Sequence, residues 1–209
     1  MIRIARRGVC LILSAPSGAG KTAIADALLA TEPDLERSIS VTTRARRPNE
    51  VDGVHYHFLT EARFQDALRE DALLEWARVL QGTHAYGTPR APVEKALAEG
   101  RDVVFDIDWQ GHRQLREKLP ADVVSVFVLP PDLMALRLRL VGRAGDHGEE
   151  IERRMRVAQD EICHWVEFDH VVVNEDLAVA TEAVRAVLHA ARVRTGRLTG
   201  LPEFVAGLV

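Results

Sequence analysis

One loop constrains the fold of this chain more than any other feature. A run of five apolar residues (9–13, VCLIL) is followed by Ala15, Pro16, Ser17, Gly18, Ala19, Gly20, Lys21 and Thr22. This order predicts a buried strand, a loop whose backbone N–H groups converge on phosphate oxygens, and a helix that begins at the loop. Lys21 adds a mobile positive charge, the Thr22 hydroxyl can bind Mg²⁺, and the helix N-terminus adds partial positive charge. The segment therefore predicts binding of a nucleoside triphosphate with Mg²⁺.

The loop departs from the usual pattern at its first position. Ala15 stands where Gly is usual, whereas the core of the pattern, Gly20, Lys21 and Thr22, is intact. A glycine-rich turn that merely joins a strand to a helix is the alternative interpretation.

Length and charge limit the partners that we expect. With 209 residues, the chain has room for one sizeable domain with insertions or for one and a half small ones. A formal charge of −4 gives no overall positive field, so we expect neither nucleic acid nor an anionic membrane as a partner. The two cysteines make no disulfide framework and fit a reducing, cytoplasmic location. From the basic start and the short apolar run after it we do not expect a signal peptide, and no stretch has the length of a membrane span.

Short β-rich runs alternate with helical patterns along the chain. This alternation predicts an α/β fold in which a parallel sheet is wrapped by helices. The predicted strands are 9–13, 39–43, 103–107, 123–129 and 171–174, and the predicted helices are 22–30, 61–69, 92–99, 110–118, 132–141, 149–164 and 177–193. Because parallel sheets bind ligands beyond the carboxyl ends of their strands, the glycine loop, Asp106 and Asp108 should lie together.

Two stretches interrupt the alternation. Residues from about 38 to 88 carry short strands, turn signals and a single helical pattern, which indicates an inserted β-rich lobe. Residues 139–154 contain three glycines among arginines and acids, a composition typical of a mobile loop between two helices. We therefore predict a core of residues 1–37 and 89–209, a lobe of residues 38–88, and a small lid at about 139–155.

An acidic residue ends the predicted strand 103–107. Asp106 is placed to position Mg²⁺ or its bound water beside a neighbouring phosphate loop. Many strands end in Asp for solvation alone, and this remains the alternative.

The lobe begins with a cluster of arginines. Arg44 and Arg47 can each bind phosphate oxygens through planar, bidentate contacts, and Tyr56 can add a hydroxyl donor. The alternatives are a solvated face and a small RNA-binding patch, although the chain lacks both aromatic stacking platforms and a basic balance.

Taken in order, these motifs resemble those of guanylate kinases, and of bacterial members in particular. The resemblance runs from about residue 8 to residue 193. Its motifs are the glycine loop, Thr42-Thr43-Arg44 with Arg47, Tyr56, LEWA (74–77), YGT (86–88), DIDWQG (106–111) and NED (174–176). It implies a phosphate-loop NTPase core with a GMP-binding lobe and a lid. The implied reaction is transfer of the γ-phosphoryl group of ATP to GMP with Mg²⁺, in purine nucleotide metabolism.

The resemblance also implies which residues bind GMP. Ser40, Glu75 and Thr88 would meet the base, Arg44, Arg47, Tyr56 and Tyr86 would hold the phosphate, and Asp108 would lie beside the guanine edge or the ribose. A carboxylate suits guanine because N1–H and the N2 amino group are adjacent donors, whereas adenine presents an acceptor at N1. Considered alone, Glu75 could equally be a carboxylate at the rim of a strand. The segment between Glu75 and Tyr86 is slightly longer than is usual in the family, and Ala85 stands where an aromatic residue or Arg is common.

The catalytic residues implied by the resemblance are mostly cationic. They are Lys21, Arg44, Arg139, Arg143 and Arg154, and Asn174 would steady the lid or the donor nucleotide. Phosphoryl transfer spreads negative charge over the moving group, so catalysis depends on positioning and on stabilising charge. The lid arginines could instead be helix-face charges, as we interpret Arg137 and Arg153, and Asn174 could be a turn-forming residue.

Two other functions remain open at this level. A related kinase that acts on a phosphorylated ribose would share the core but would have no use for a carboxylate at a guanine edge. A non-catalytic guanylate-kinase-like module that binds phosphoproteins would typically have a degraded phosphate loop, which this chain does not. We expect ATP and GMP as partners, with dGMP as a second acceptor. The sequence leaves the oligomeric state open, a homodimer included.

Overall fold

The computed structural model describes residues 4–79, 83–144 and 148–209. Within those ranges the chain forms nine β-strands and eight α-helices. The strands are β1 (Cys10–Ser14), β2 (Leu35–Arg37), β3 (Val41–Thr42), β4 (His57–Phe58), β5 (Leu73–Val79), β6 (His84–Pro89), β7 (Asp102–Asp106), β8 (Val123–Leu129) and β9 (His170–Val173). The helices are α1 (Lys21–Leu29), α2 (Glu61–Arg69), α3 (Arg90–Ala98), α4 (Trp109–Lys118), α5 (Leu133–Ala144), α6 (Gly148–Ile162), α7 (Leu177–Arg192) and α8 (Leu201–Ala206). Short 3-10 helices cover Cys163–Glu167 and Thr195–Arg197.

A five-stranded parallel sheet forms the centre of the fold. Its strand order is β2-β7-β1-β8-β9, and β1 is fully buried between β7 and β8. Side chains alternate across β1: Leu11 and Leu13 pack against α1 and α7, whereas Cys10 and Ile12 pack against α3 and α4. Both faces are therefore covered by helices, which confirms the predicted α/β class.

The structure corrects one predicted strand of this sheet. Instead of residues 39–43, the edge strand beside β7 is β2, and Val41–Thr42 belongs to a second sheet. β2 is only three residues long and buries one apolar side chain, that of Leu35, so it carries no pattern that a sequence-based prediction could detect. None of the helices in the described ranges is both long enough and apolar enough to span a bilayer.

The second sheet has the strand order β4-β3-β6-β5. β3 pairs with β4 in parallel and with β6 antiparallel, and β5 pairs with β6 antiparallel. A small core of Val41, Phe64, Leu73 and Ala85 lies between this sheet and α2. Because Ala85 is fully buried there, the small side chain suits its position.

Helices α5 and α6 occupy most of the segment predicted to be a mobile loop. The loop prediction is wrong for residues 139–144 and 148–154, which are helical, whereas the predicted helices 132–141 and 149–164 are confirmed over most of their length. Residues 145–147 lie outside the described residues. Buried residues at helical spacing join the two helices: Leu136, Leu140, Ile151, Met155 and Ala158. Glu150 pairs with arginines three and four residues later along α6, a spacing that further stabilises a helix.

Candidate active site

The glycine loop joins β1 to α1 through two left-handed residues. Gly18 has φ +90° and Gly20 has φ +99°, backbone conformations that residues other than glycine rarely adopt. Gly20 is the N-cap of α1, and no side chain caps the helix there. The first N–H groups of α1 and the positive end of its dipole are thus available to an anion, as the sequence predicts.

Lys21 and Thr22 both contact Asp106, which ends β7. Lys21 Nζ lies 2.6 Å from Asp106 Oδ1, and Thr22 Oγ1 donates to Asp106 Oδ2 at 2.7 Å. Burial opposes ionisation of this carboxyl, but the charge and hydrogen bond of Lys21 and the hydrogen bond of Thr22 outweigh it, so the pKa of Asp106 is lowered. Asp106 is therefore ionised at neutral pH.

The Thr22 and Asp106 oxygens fit a Mg²⁺ ion that accompanies a nucleoside triphosphate. Hydroxyl and carboxylate oxygens are hard ligands of the kind that Mg²⁺ prefers, and Mg²⁺ commonly binds one or two protein oxygens together with phosphates and water. Both side chains lie at the mouth of the phosphate loop, where they line one cavity with it.

A cavity of about 270 Å³ opens over the glycine loop. Besides loop residues it is lined by three carboxylates, those of Asp106, Asp108 and Glu161. Glu161 comes from α6 and accepts a hydrogen bond from the Ser17 N–H at 3.3 Å. Burial raises the pKa of Glu161, against the opposing effects of Ser17 and Lys21. No local sequence signal points to Glu161, because nothing distinguishes it from the other acidic residues of a polar helix.

Asn174 and Arg139 hold the glycine loop in place through hydrogen bonds to its backbone. Asn174, only 4% exposed, donates through Nδ2 to the Ala19 carbonyl oxygen at 2.7 Å. Arg139 donates to the Asn174 carbonyl oxygen at 3.0 Å and, at 3.4 Å, to that of Ala19. A Cβ added to Gly20 would lie 2.2 Å from Asn174 Nδ2, so the packing of Asn174 also requires glycine at that position.

A second cavity, of about 380 Å³, lies between the two sheets. It is lined by Thr22, Arg37, Ser38, Ser40, His55, Tyr56, Thr88, Phe105, Asp106 and Ile107. Ser40, Tyr56 and Thr88 are three of the residues that the sequence analysis places around the acceptor. Because Thr22 and Asp106 also line the cavity over the glycine loop, the two cavities meet at these side chains.

Glu75 lies in β5 beside this second cavity. It is 7% exposed, and its Oε1 accepts a hydrogen bond from Thr88 Oγ1 at 2.6 Å. Burial raises the pKa of Glu75 to about 7, with a further contribution from Asp108, against the Thr88 hydrogen bond. Gly111 leaves the space beside the other carboxylate oxygen, since a Cβ there would be 3.2 Å from Glu75 Oε2. Asp108 is the N-cap of α4 and accepts from the Gly111 N–H at 2.8 Å.

Arg44 is held among aromatic and acidic partners. Its guanidinium makes a bidentate contact with Glu50, at 2.7 and 3.0 Å, and donates to the Tyr86 hydroxyl at 3.2 Å. The same group lies over the Tyr56 ring, 5.4 Å from its centroid. The hydrogen bonds from Arg44 and from the Arg47 N–H lower the pKa of Glu50 to about 2. The Arg47 side chain itself is exposed.

The other predicted lid residues lie on α5 and α6. Arg154 contacts Glu150 at 3.1 Å within α6, and the side chain of Arg143 lies outside the described residues. Arg137 pairs with Glu152 and Arg153 with Glu150, the helix-face contacts that their interpretation predicts. Arg139 is the lid arginine that hydrogen-bonds to the backbone of the glycine loop, at the Ala19 carbonyl oxygen.

Comparisons with known proteins agree with this geometry. The family model described as guanylate kinase matches residues 7–191. A guanylate kinase of Gluconobacter oxydans is 59% identical over 99% of this chain and 98% of its own, and one of Rhizobium etli is 53% identical over 100% and 94%. The crystal structure of a guanylate kinase from Anaplasma phagocytophilum superposes with a TM-score of 0.77 at 32% identity, covering 97% of this chain and 96% of its own. A sheet flanked by helices, a phosphate loop and matches of this extent lead to one conclusion: the chain belongs to the guanylate kinase family.

Proposed function

We propose that this protein is a nucleoside monophosphate kinase that transfers the γ-phosphoryl group of ATP to GMP, giving ADP and GDP. The observation that carries the proposal is the junction of the two cavities at Thr22 and Asp106. A donor bound over the glycine loop and an acceptor bound between the sheets would meet end to end at that junction. Such an arrangement suits in-line transfer between two bound nucleotides.

The donor site is built by the loop and its neighbours. Backbone N–H groups of residues 15–22 would bind the triphosphate, and Lys21 would turn from Asp106 toward the phosphoryl group that moves. Thr22 and Asp106 would hold Mg²⁺, whose charge would offset that of the triphosphate and of the transition state. Asn174 would keep the Ala19 carbonyl oxygen tied back, so that the loop keeps its shape.

The acceptor site selects guanine through Glu75. An ionised Glu75 would accept from N1–H and the N2 amino group, while Thr88 and Ser40 would add hydroxyl contacts to the base. Adenine would present an acceptor to the same carboxylate, and an unmatched buried polar pair is strongly disfavoured. We propose that Asp108, at the start of α4, meets the guanine edge or the ribose.

The acceptor's phosphate would lie among cationic and hydroxyl groups. Arg44, Tyr56 and Tyr86 already contact one another, and Arg47 is near enough in sequence to join them. For this to occur, Arg44 would share or exchange its contact with Glu50. No general base is needed, because a phosphate monoester has a second pKa of about 6 and is already ionised at neutral pH.

Charge stabilisation during transfer would come from Lys21, Arg44 and the arginines of the α5–α6 lid. In this proposal Arg139, Arg143 and Arg154 turn toward the phosphoryl group as the lid and the 38–88 lobe close over the core formed by residues 1–37 and 89–209. Closure would exclude the water that otherwise hydrolyses ATP.

One binding measurement and one turnover measurement distinguish this proposal from the two alternatives, a kinase of phosphorylated sugars and a non-catalytic module. Calorimetric titration with ATP should show one site, and turnover with GMP should exceed turnover with ribose 5-phosphate by orders of magnitude. Equal rates with the two acceptors would favour a kinase of phosphorylated sugars. Failure to bind ATP would favour a non-catalytic module. The matches with curated guanylate kinases favour neither rival.

A further inference from the structure

Arg37 is a cation in the second cavity, the proposed acceptor site between the two sheets, and no motif of the sequence identifies it. It is the last residue of β2 and lines that cavity together with Thr22, Tyr56 and Asp106. Its side chain is 34% exposed, so the guanidinium is accessible from the cavity and from solvent.

The direction of the Arg37 side chain follows from strand alternation. Arg37 pairs with Val104 of β7, and both Val104 and Leu35 face the core beneath α1. Residues two apart on a strand share a face, so Arg37 lies on the α1 side of the sheet, as does Asp106, two residues beyond Val104. The charge of Arg37 is close enough to Asp106 to favour its ionised form. Arg37 therefore faces the junction of the two cavities.

Asp26, the ion-pair partner of Arg37, is a weak competitor for its guanidinium. Arg37 Nη2 donates to Asp26 Oδ1 of α1 at 2.5 Å, but Asp26 is 66% exposed. Exposed ion pairs contribute little to stability, because water solvates both charges well. A dianionic phosphate in the adjoining cavity carries more charge and matches the guanidinium fork.

We propose that Arg37 binds the phosphate of the acceptor nucleotide and leaves Asp26 to do so. The inference deepens the proposed function and rests on it, since it names a further specificity residue for the same acceptor site. Arg37 gives that site a cation from the central sheet, in addition to the cluster of Arg44, Tyr56 and Tyr86 in the 38–88 lobe. The phosphate would then be held from both sheets at once, which favours acceptors that carry a phosphate over the bare nucleoside.

Steady-state kinetics of Arg37→Ala test the proposal. We expect the KM for GMP to rise about tenfold, the loss of one charge-assisted hydrogen bond, with the KM for ATP unchanged. Guanosine has no phosphate, so its inhibition constant against GMP should be the same in the variant and in the wild type. Arg37→Lys keeps the charge and should recover part of the loss. Arg101→Ala is the matched control, because Arg101 pairs with Glu36 and Glu99 and does not line the cavity.

Asp26→Asn separates binding from a structural role. Releasing Arg37 from Asp26 should leave the KM for GMP unchanged or lower it. If Asp26→Asn raised the KM for GMP as much as Arg37→Ala does, the Arg37–Asp26 ion pair itself would shape the site. That result would overturn the proposal that Arg37 leaves Asp26 to bind the phosphate. Equal loss of guanosine and GMP affinity in Arg37→Ala, or no loss of either, would overturn the phosphate contact. A wild-type protein that does not phosphorylate GMP would instead contradict the proposed function, so the two failures are distinct.

Discussion

Lys21 Nζ lies 2.6 Å from Asp106 Oδ1, an ion pair that joins the start of α1 to the carboxyl end of β7. Thr22 occupies the other oxygen of the same carboxylate. Two adjacent residues of one helix thus meet one acid on the neighbouring strand, which places a cation, a hydroxyl and a carboxylate within one hydrogen-bonded group. The proposed phosphoryl transfer depends on that group.

Replacement of Lys21 tests its role in this group. Lys21→Met should lower kcat/KM by about 10²- to 10³-fold, the loss typical of a donor that stabilises charge in a transition state. The side chain is 20% exposed and pairs with Asp106, so we expect a folded variant whose melting temperature is lowered by loss of this ion pair. Coupled assays of ADP release and thermal denaturation followed by circular dichroism measure the two effects. Wild-type turnover in a folded variant would remove Lys21 from the mechanism.

The raised pKa of Glu75 predicts a pH dependence. Guanine recognition requires the ionised carboxylate, so kcat/KM for GMP should rise with pH through about 7, the pKa to which burial raises Glu75. Glu75→Gln should be less active and should lack this rise. Because the phosphate of GMP titrates identically in assays of both proteins, the difference between their pH profiles isolates Glu75. Identical profiles would contradict the assignment.

The same group affects stability with a definite sign. Burial raises the pKa of Glu75 from 4.5 to about 7, so the folded protein prefers the protonated form. Its contribution to the free energy of unfolding is fully present below pH 4.5 and is lost as the pH rises through 7. Urea denaturation at several pH values should therefore show Glu75→Gln gaining stability relative to the wild type as the pH rises from 5 to 8.

Two observations require glycine at position 20. Its φ is +99°, and a Cβ added there would lie 2.2 Å from Asn174 Nδ2. Gly20→Ala should therefore distort the loop and weaken ATP binding by about tenfold or more, by calorimetry. Gly196→Ala is the control, because a Cβ there meets nothing within 4 Å. Unchanged ATP affinity in Gly20→Ala would mean that the loop tolerates a side chain.

Asp102 is the centre of an ion-pair cluster at the opposite end of the sheet. It is fully buried and accepts from Arg6 at 2.6 and 2.9 Å, from Arg192 at 2.7 Å and from the Val9 N–H at 2.8 Å. Asp102→Ala would leave two arginines without this partner and should cost about 3 to 5 kcal/mol of the free energy of unfolding. Asp66→Ala, which breaks an exposed pair with Arg69, should cost well under 1 kcal/mol. Equal losses in the two variants would contradict this account of the cluster.

Local patterns predicted the centre of the fold and missed its periphery. The apolar run, the glycine loop and α1 are contiguous in sequence, so their arrangement follows from local rules. β2 was not predicted because its three residues form a strand through pairing with β7 rather than through a local sequence pattern. The glycines and charges of residues 139–154 favoured a loop between two predicted helices, but a buried cluster that includes Leu140 and Met155 stabilises helices over most of that segment.

The residues of the candidate site likewise fall into two groups, those predictable from local sequence and those that are not. Lys21 and Thr22 belong to a contiguous motif, and Asp106 ends an apolar strand. Arg37 and Glu161 reach the cavities only through tertiary packing, from the end of an edge strand and from a polar helix. The spacing of Arg37 and Glu161 along the chain does not indicate that they lie at the site, because only the folded structure brings them there.

The most direct test is an ADP-release assay with ATP and Mg²⁺ across GMP, dGMP, AMP, IMP, CMP and UMP. We predict rapid turnover with GMP, slower turnover with dGMP, and rates lower by orders of magnitude with AMP and the pyrimidine nucleotides, since only guanine offers adjacent donors to Glu75. Faster turnover with AMP, CMP or UMP than with GMP would contradict the account.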